Sequence, residues 1–100
     1  MSEWIYFLHP PRDDFAATMT EEEGAAWQRH FEWVDGLFQE GSLLMVGATG
    51  GRTNTGIGVF EAPTEEAARE VVSKDPAAAG GFARGELRPF DLGLMRGRDG

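Results

Sequence analysis

Two residues far apart in the chain, His30 and Asp75, have side chains suited to acid-base chemistry. A free imidazole has a pKa of about 6.5, so this group can give or take a proton near neutral pH. A carboxylate beside the imidazole would fix its tautomer and raise its basicity. If the fold brings the two side chains together, they form a candidate acid-base pair.

Each of these residues also has a purely structural explanation. His30 falls in the apolar arc of a predicted helix and could be a core histidine whose ring nitrogens are satisfied by the backbone. Asp75 precedes Pro76 and could be the N-cap of a short helical turn with proline at its first position. The capping and catalytic roles are compatible, since one carboxylate oxygen can cap while the other faces an imidazole.

Three further polar residues lie on predicted loops. His9 follows the apolar N-terminal segment and could be a solvated histidine, a second proton donor or a substrate contact. Arg12 and Arg52 could bind an anionic substrate, although solvated loop arginines are the commoner case.

The sequence gives little support for a metal or phosphate site. His9, His30 and Asp75 could form a metal site, but the chain has no HxH or HxxxH pair. The GATGG segment lacks the Lys-Ser/Thr of a phosphate loop and does not lead into a helix. We therefore expect neither a metal nor a cofactor.

The helix that carries His30 is predicted from Thr20 to Gly41. Thr20 and Glu23 form a capping box, and Gly41 suits a left-handed stop. At about 100° per residue the apolar side chains share one arc, which we expect to be buried. Its members are Ala26, Trp27, Phe31, Trp33, Val34, Leu37 and Phe38.

The remaining elements follow from apolar runs and their breakers. A loop is predicted up to Met19, a second helix begins after Thr64, and Pro89 indicates an edge position or a bulge in the last strand. Residues 77–81 are flexible or form one turn, and residues 96–100 form a frayed tail after a single domain of residues 1–95. The predicted strands are Glu3–Leu8, Ser42–Ala48, Gly56–Ala62 and Glu86–Leu94.

This β-α-β-β-α-β order predicts an α+β, ferredoxin-like subunit: a four-stranded antiparallel sheet with two helices on one face. The first three strands place apolar side chains on both faces of the sheet. Because two helices cover only one face, we expect a second copy to cover the other, which makes a homodimer.

Composition narrows the class of protein. One hundred residues make one domain, and the absence of cysteine excludes disulfides and suits a cytoplasmic protein. The N-terminal MSEWIYFLH resembles neither a signal peptide nor a membrane span. A formal net charge of −8 disfavours nucleic acid and anionic membranes as partners.

Nearly the whole chain resembles the YCII-related (YciI-like) family. Five features carry the likeness: a histidine in the long helix, two sequence runs around the second and third strands, an Asp-Pro pair followed by a glycine, and a short motif in the last strand. In order these are His30, EGSLLMVGATGG, GIGVFEAPTEEAARE, Asp75-Pro76 with Gly81, and Arg88-Pro89-Phe90. The opening LHPPRDDFAATMTEEE is similar to the longer-looped branch of the family.

The resemblance implies a dimeric α+β barrel with His30 and Asp75 facing one another in a cleft as a catalytic dyad. The activity associated with the family is elimination of chloride from a chlorinated hydroquinone-type ring. The extra glycine around Gly81 departs from the family pattern in the pocket wall. The loop after His9 could supply the missing cover.

We therefore predict a small enzyme that acts on a compact cyclic or enolisable small molecule by isomerisation, elimination or hydrolysis. Asp75 would orient His30, His30 would move a proton, and His9, Arg12 and Gly81 would contact the substrate. The alternative is a non-catalytic dimeric binder or accessory module, in which the His-Asp pair merely satisfies buried polar groups.

Overall fold

The chain forms four strands and four helices in the computed structural model, which describes residues 1–97. In chain order they are β1 (Ser2–His9), α1 (Phe15–Thr18), α2 (Glu21–Glu40), β2 (Leu43–Ala48), β3 (Gly56–Ala62), α3 (Glu65–Val72), α4 (Pro76–Ala79) and β4 (Arg84–Phe90). The strands make one antiparallel sheet in the order β2-β3-β1-β4. This is the predicted α+β, ferredoxin-like arrangement.

One face of the sheet carries the core. Trp4, Tyr6 and Leu8 alternate along β1 on the face that packs against the helices, and each is at most 7% exposed. Phe60 of β3 lies opposite Trp4, and the Trp4 indole N–H donates to the carbonyl of Ala62 at 3.1 Å. The helix-facing side of β1 is therefore the wall against which the helices are held.

The helix α2 has the predicted ends. The Thr20 hydroxyl accepts from the backbone N–H of Glu23, the Glu23 carboxylate accepts from the N–H of Thr20, and Gly41 closes the helix at φ 94°. The burial of its apolar arc is only partly as predicted, because Phe31 is 61% and Phe38 55% exposed. Phe31 nevertheless contributes to the wall of a cavity between α2 and the sheet.

The predicted loop up to Met19 contains the short helix α1. Asp14 adopts a left-handed conformation at φ 56°, its carbonyl accepts from the Thr18 hydroxyl, and the buried Phe15 ring packs 4.7 Å from Trp27. A single buried aromatic anchor and a turn of small residues do not produce a periodicity that predicts a helix.

The last strand is shifted toward the N-terminus relative to the prediction of Glu86–Leu94. It begins at Arg84, which pairs with His9, and ends at Phe90, which pairs with Glu3 near the start of β1. Pairing stops one residue short of the start of β1, and β4 is an edge strand, as Pro89 indicated. Of the predicted frayed tail, residues 98–100 lie outside the described residues.

Candidate active site

The His30 ring and the Asp75 carboxylate are in direct contact. Nδ1 of His30 lies 2.7 Å from Oδ1 of Asp75. His30 is in the middle of α2, and Asp75 is the N-cap of α4, which packs against α2. Asp75 is fully buried, whereas the His30 side chain keeps 12% of its surface exposed. Helix packing thus brings together two groups that are 45 residues apart in sequence.

Asp75 accepts three hydrogen bonds. Oδ1 takes the backbone N–H of Ala77 at 3.0 Å in addition to His30, and Oδ2 takes the hydroxyl of Tyr6 at 2.7 Å. Capping and the imidazole contact therefore share one oxygen, whereas the sequence prediction gave each its own. The Ala77 N–H and the Tyr6 hydroxyl both donate to Asp75, which matches the acceptor-only capacity of an ionised carboxylate.

Tyr6 is the site residue that sequence reasoning missed. Burial raises the pKa of its hydroxyl well above the ordinary value, and the hydrogen bond and charge of Asp75 raise it further. The hydroxyl therefore remains protonated and donates to Asp75. The available signal was that the only tyrosine of the chain falls on the helix-facing side of a predicted strand, where a buried hydroxyl needs a partner.

Gly85 makes room for the Tyr6 hydroxyl. It lies on β4, and a Cβ atom at this position would lie only 2.7 Å from Oη and 2.9 Å from Cε1 of Tyr6. Any larger residue at position 85 would push the tyrosine ring away from Asp75.

The contact with Asp75 decides which nitrogen of His30 carries the hydrogen. Because the carboxylate accepts, Nδ1 is the donor, and the lone pair of the neutral ring lies on Nε2. No hydrogen bond from residues 1–97 reaches Nε2. The ring is therefore oriented with one nitrogen held by the protein and the other open.

Three aromatic rings hold the imidazole in place. The ring centroids of Trp27, Phe31 and Trp33 lie 5.8, 5.5 and 5.9 Å from that of His30. These rings leave the imidazole little freedom to rotate away from Asp75.

The His30 ring lines a cavity of about 550 Å³ between α2 and the helix-covered face of the sheet. The wall is mostly apolar, and its polar side-chain groups belong to Tyr6, His30, Asn54 and the indoles of Trp27 and Trp33. On its floor, Gly58 presents no side chain, and a Cβ there would make an ordinary contact of 3.6 Å with Leu43. A cavity of this size and polarity is typical of a small-molecule site.

Two segments that line the cavity are fastened to each other. The segment from Pro10 to Met19 and the loop between β2 and β3 both contribute to its wall. The Asp14 N–H donates to the carbonyl of Arg52 at 2.7 Å, and the Arg52 guanidinium lies 3.1 Å from the Asp14 carboxylate. The Thr53 hydroxyl donates to Asp13. We call these two segments the mouth segments.

The other predicted contact residues lie away from the dyad. His9 is on the opposite face of the sheet from Tyr6, with Nε2 2.8 Å from Glu86. Arg12 makes a bidentate pair with Glu23 at 2.8 Å. Gly81, left-handed at φ 79°, lines a separate hollow together with His9.

Two other features are absent from residues 1–97, a cluster of metal ligands and a membrane-spanning helix. No group of three histidine, aspartate or glutamate side chains there lies close enough to hold a metal ion. Within the same residues, no helix has the length and hydropathy needed to cross a membrane.

Comparison with known proteins agrees with this geometry at the level of the fold. A family model described as the YCII-related domain matches residues 4–91. A solved structure of 5-chloro-2-hydroxyhydroquinone dehydrochlorinase from Burkholderia phenoliruptrix AC1100, in complex with 2,5-dihydroxybenzoquinone, superposes with a TM-score of 0.66. It is 13% identical, over 90% of this chain and 95% of that one. No curated protein matches the chain.

Proposed function

Because this chain belongs to the YCII-related family, we propose that it is a small acid-base enzyme in which His30 transfers a proton and Asp75 orients His30. The substrate would be a compact cyclic or enolisable organic molecule bound in the cavity beside His30. The observation that carries the proposal is the state of the ring: Nδ1 is held by a buried carboxylate while the ring lines an open cavity. A histidine that only filled the core would be sealed from any ligand.

The geometry suits removal of a proton by Nε2. When Nε2 takes a proton from a carbon or a hydroxyl group of the substrate, the ring becomes cationic, and Asp75 lies 2.7 Å away to stabilise that charge. Tyr6 and the N–H of Ala77 keep the carboxylate in place. The electron pair released on the substrate could move a double bond, which is isomerisation, or expel a leaving group, which is elimination.

Elimination is the alternative that the structural neighbour supports. That protein is a dehydrochlorinase. In such a step here, a C–H bond would break as Nε2 takes the proton, the electron pair would form a new double bond, and chloride would leave. Likeness at 13% identity is evidence for a shared fold, so the reaction class of this chain rests on the experiment below.

The assembly and location are part of the same proposal. A second copy would pack on the sheet face that the helices leave uncovered, as the apolar side chains of that face favour. A cytoplasmic location is favoured by the absence of cysteine.

Solvent deuterium exchange tests the proposal without knowledge of the natural substrate. Cyclic ketones and chlorinated hydroquinones would be incubated with the protein in D2O, and deuterium uptake and chloride release followed by NMR and ion chromatography. We expect the protein to accelerate at least one of these reactions and His30→Ala to lose about 10²–10⁴-fold of the acceleration. Gln28→Ala, a nearby exposed position on α2, is the matched control.

Asp75→Asn separates the dyad from His30 alone. An amide can donate to Nδ1, which would leave the hydrogen on Nε2 and remove the base, so we expect a loss comparable to that of His30→Ala. Circular dichroism would show that each variant is folded. If panel compounds bind beside His30 but the protein accelerates neither exchange nor chloride release, the enzymatic proposal is wrong and the binding module is supported.

A further inference from the structure

We infer that the ligand of this site carries an alkyl tail, which lies in a part of the cavity beyond His30 where the lining side chains are hydrocarbon only. The inference rests on the proposed function, because it puts the reactive group of the ligand beside His30 and describes the rest of the molecule. The class that it names is an amphiphile with a polar head and an apolar tail. It concerns binding and can be tested apart from turnover.

The first argument is the length of the cavity. On α2 the lining residues run from Trp27 to Leu37, which at the helical rise per residue is about 15 Å. On β3 they run from Gly56 to Phe60, which is about 13 Å at the rise of an extended strand. By the same helical rise, His30 lies about 5 Å along α2 from Trp27 but about 10 Å from Leu37. Most of the cavity therefore extends past His30 toward the C-terminal end of α2.

The second argument is the chemistry of this extension, which we call the tail arm. The polar side chains of the cavity wall lie around His30 or nearer the mouth. The ring centroid of Trp33 is 5.9 Å from that of His30 and 6.3 Å from that of Tyr6, and Asn54 belongs to a mouth segment. The tail arm is lined by Val34, Leu37, Leu43, Phe60, Val71 and Val72.

An apolar occupant suits this wall better than a polar one. An alkyl chain would leave water for the tail arm without breaking any hydrogen bond. Within residues 1–97, no lysine, arginine, aspartate or glutamate side chain lines the cavity. A charged tail would therefore lose its hydration there without gaining an ionic partner.

The third argument is how the tail arm is enclosed. Leu43 and Phe60, at its end, are 7% and 2% exposed, so the core closes the arm there. Phe31 and Val46 line the middle of the cavity, yet they are 61% and 52% exposed. The cavity is therefore open beside His30 and closed at the far end. A flexible chain can enter this shape end first, with its polar head left at His30.

A matched pair of probes tests the inference. 1-Butanol and 1-octanol share a head group and differ only in chain length, and their affinities for the intact protein would be measured by titration calorimetry. Each additional CH₂ group is worth about 3–4-fold in affinity when it is buried, so we expect 1-octanol to bind at least about 30-fold more tightly. In NMR spectra, only 1-octanol should shift the methyl signals of Val71 and Val72, whereas both alcohols should shift His30.

Filling the tail arm provides the converse test. Leu37→Trp adds bulk inside the arm, and Leu94→Trp, the same change at a 99% exposed position outside the cavity, is the matched control. We expect Leu37→Trp to bind 1-octanol at least about 10-fold less tightly than the unchanged protein does, with its affinity for 1-butanol retained. Val71→Phe fills the arm from α3 and should act in the same way, and circular dichroism would verify that each variant is folded.

Three results would overturn the inference: equal affinities of the two alcohols for the unchanged protein, 1-octanol binding that leaves Val71 and Val72 unshifted, or undiminished 1-octanol binding by a folded arm-filling variant. Failure of the proposed function gives a different pattern. In that case 1-octanol would still be selected through the tail arm, but no compound of the exchange panel would take up deuterium or lose chloride.

Discussion

Tyr6 couples the sheet to the His30–Asp75 pair. Its hydroxyl lies 2.7 Å from Oδ2 of Asp75, on the oxygen that neither His30 nor the Ala77 N–H occupies. Since Asp75 is fully buried, each of its hydrogen bonds replaces hydration that the carboxylate has lost. We therefore expect Tyr6 to be a positioning residue, which acts on the ring of His30 through the carboxylate.

Tyr6→Phe is expected to reduce both stability and proton transfer. The change leaves Oδ2 without a partner, which should cost about 1–3 kcal/mol in the free energy of unfolding, measured by urea denaturation. The deuterium-exchange rate constant should fall about 10-fold, as when the hydrogen-bonded support of a functional histidine is removed. A drop in stability with an unchanged exchange rate would show that Tyr6 is only structural.

Gly85→Ala tests the same contact from the other side. Its Cβ would displace the Tyr6 hydroxyl without removing it, so the exchange rate should fall in the same direction. Gly36→Ala is the control, because nothing lies within 4 Å of a Cβ atom at that position.

Of the three hydrogen-bonded residues His30, Asp75 and Tyr6, the sequence identified the first two. His30 was identified because it is a polar residue in an apolar arc. Asp75 also has an explanation as an N-cap, and its pairing with His30 is what the family resemblance implies. Tyr6 was not identified, because the partner of a buried hydroxyl is set by tertiary packing. The role of Arg12 could not be read from sequence either, since its partner Glu23 was already assigned to the capping box.

The start of α2 combines helix capping with an ion pair. The Arg12 hydrogen bonds lower the pKa of Glu23 to about 2, and the backbone N–H of Thr20 contributes to the shift. The folded state therefore binds this proton less readily than the unfolded chain, whose ordinary value is 4.5. Glu23 adds stability above pH 4.5, and this contribution is lost as the pH falls from about 4.5 to about 2.

Glu23→Gln should make the free energy of unfolding less dependent on pH in the acidic range. Glutamine can still accept from the Thr20 N–H, so the capping box survives, but the charge that pairs with Arg12 is gone. Urea denaturation at pH 7 and pH 3 should show a smaller difference between the two pH values than the unchanged protein shows. Glu22→Gln, the same change at the neighbouring exposed position, should leave that difference nearly intact.

The long elements could be predicted because local signals and packing agree in them. The ends of α2 and the whole of β3 were predicted within a residue from caps, glycines and apolar runs. The short helix α1 and the start of β4 could not, because they are fixed by the packing of Phe15 on Trp27 and by the register with β1. The family resemblance drawn from the sequence is confirmed over residues 4–91.

The whole molecule has one sheet face covered by helices and another without them. Cross-strand neighbours on the second face include the apolar pairs Ile5 with Val59 and Phe7 with Ile57. Ile5, Phe7 and Ile57 are half-buried and Val59 is buried, whereas Phe38 of α2 is 55% exposed. The sheet face carries apolar side chains from neighbouring strands, so we expect two copies to pair through it.

Phe7→Glu is expected to shift the protein from dimer to monomer. A carboxylate in the centre of the pairing face would be buried without a partner, which weakens association by several kcal/mol. Sedimentation velocity over a range of concentrations would measure the shift, and circular dichroism would verify folding. Phe38→Glu serves as the contrasting variant: if it dissociates the protein and Phe7→Glu does not, the copies pair through α2.

The glycine at position 58 has a consequence for how this protein could diversify. Its backbone needs no left-handed conformation, and the atoms around it would accept a methyl group without rearrangement. The groups proposed for proton transfer come from a helix, a cap and a strand. Tyr6 is the cross-strand neighbour of Gly58, but none of its atoms lies within 4 Å of a Cβ atom at position 58. A single substitution at Gly58 could therefore change the size of molecule that the cavity admits without changing His30 or Asp75. Related proteins could then share one reaction and act on different substrates.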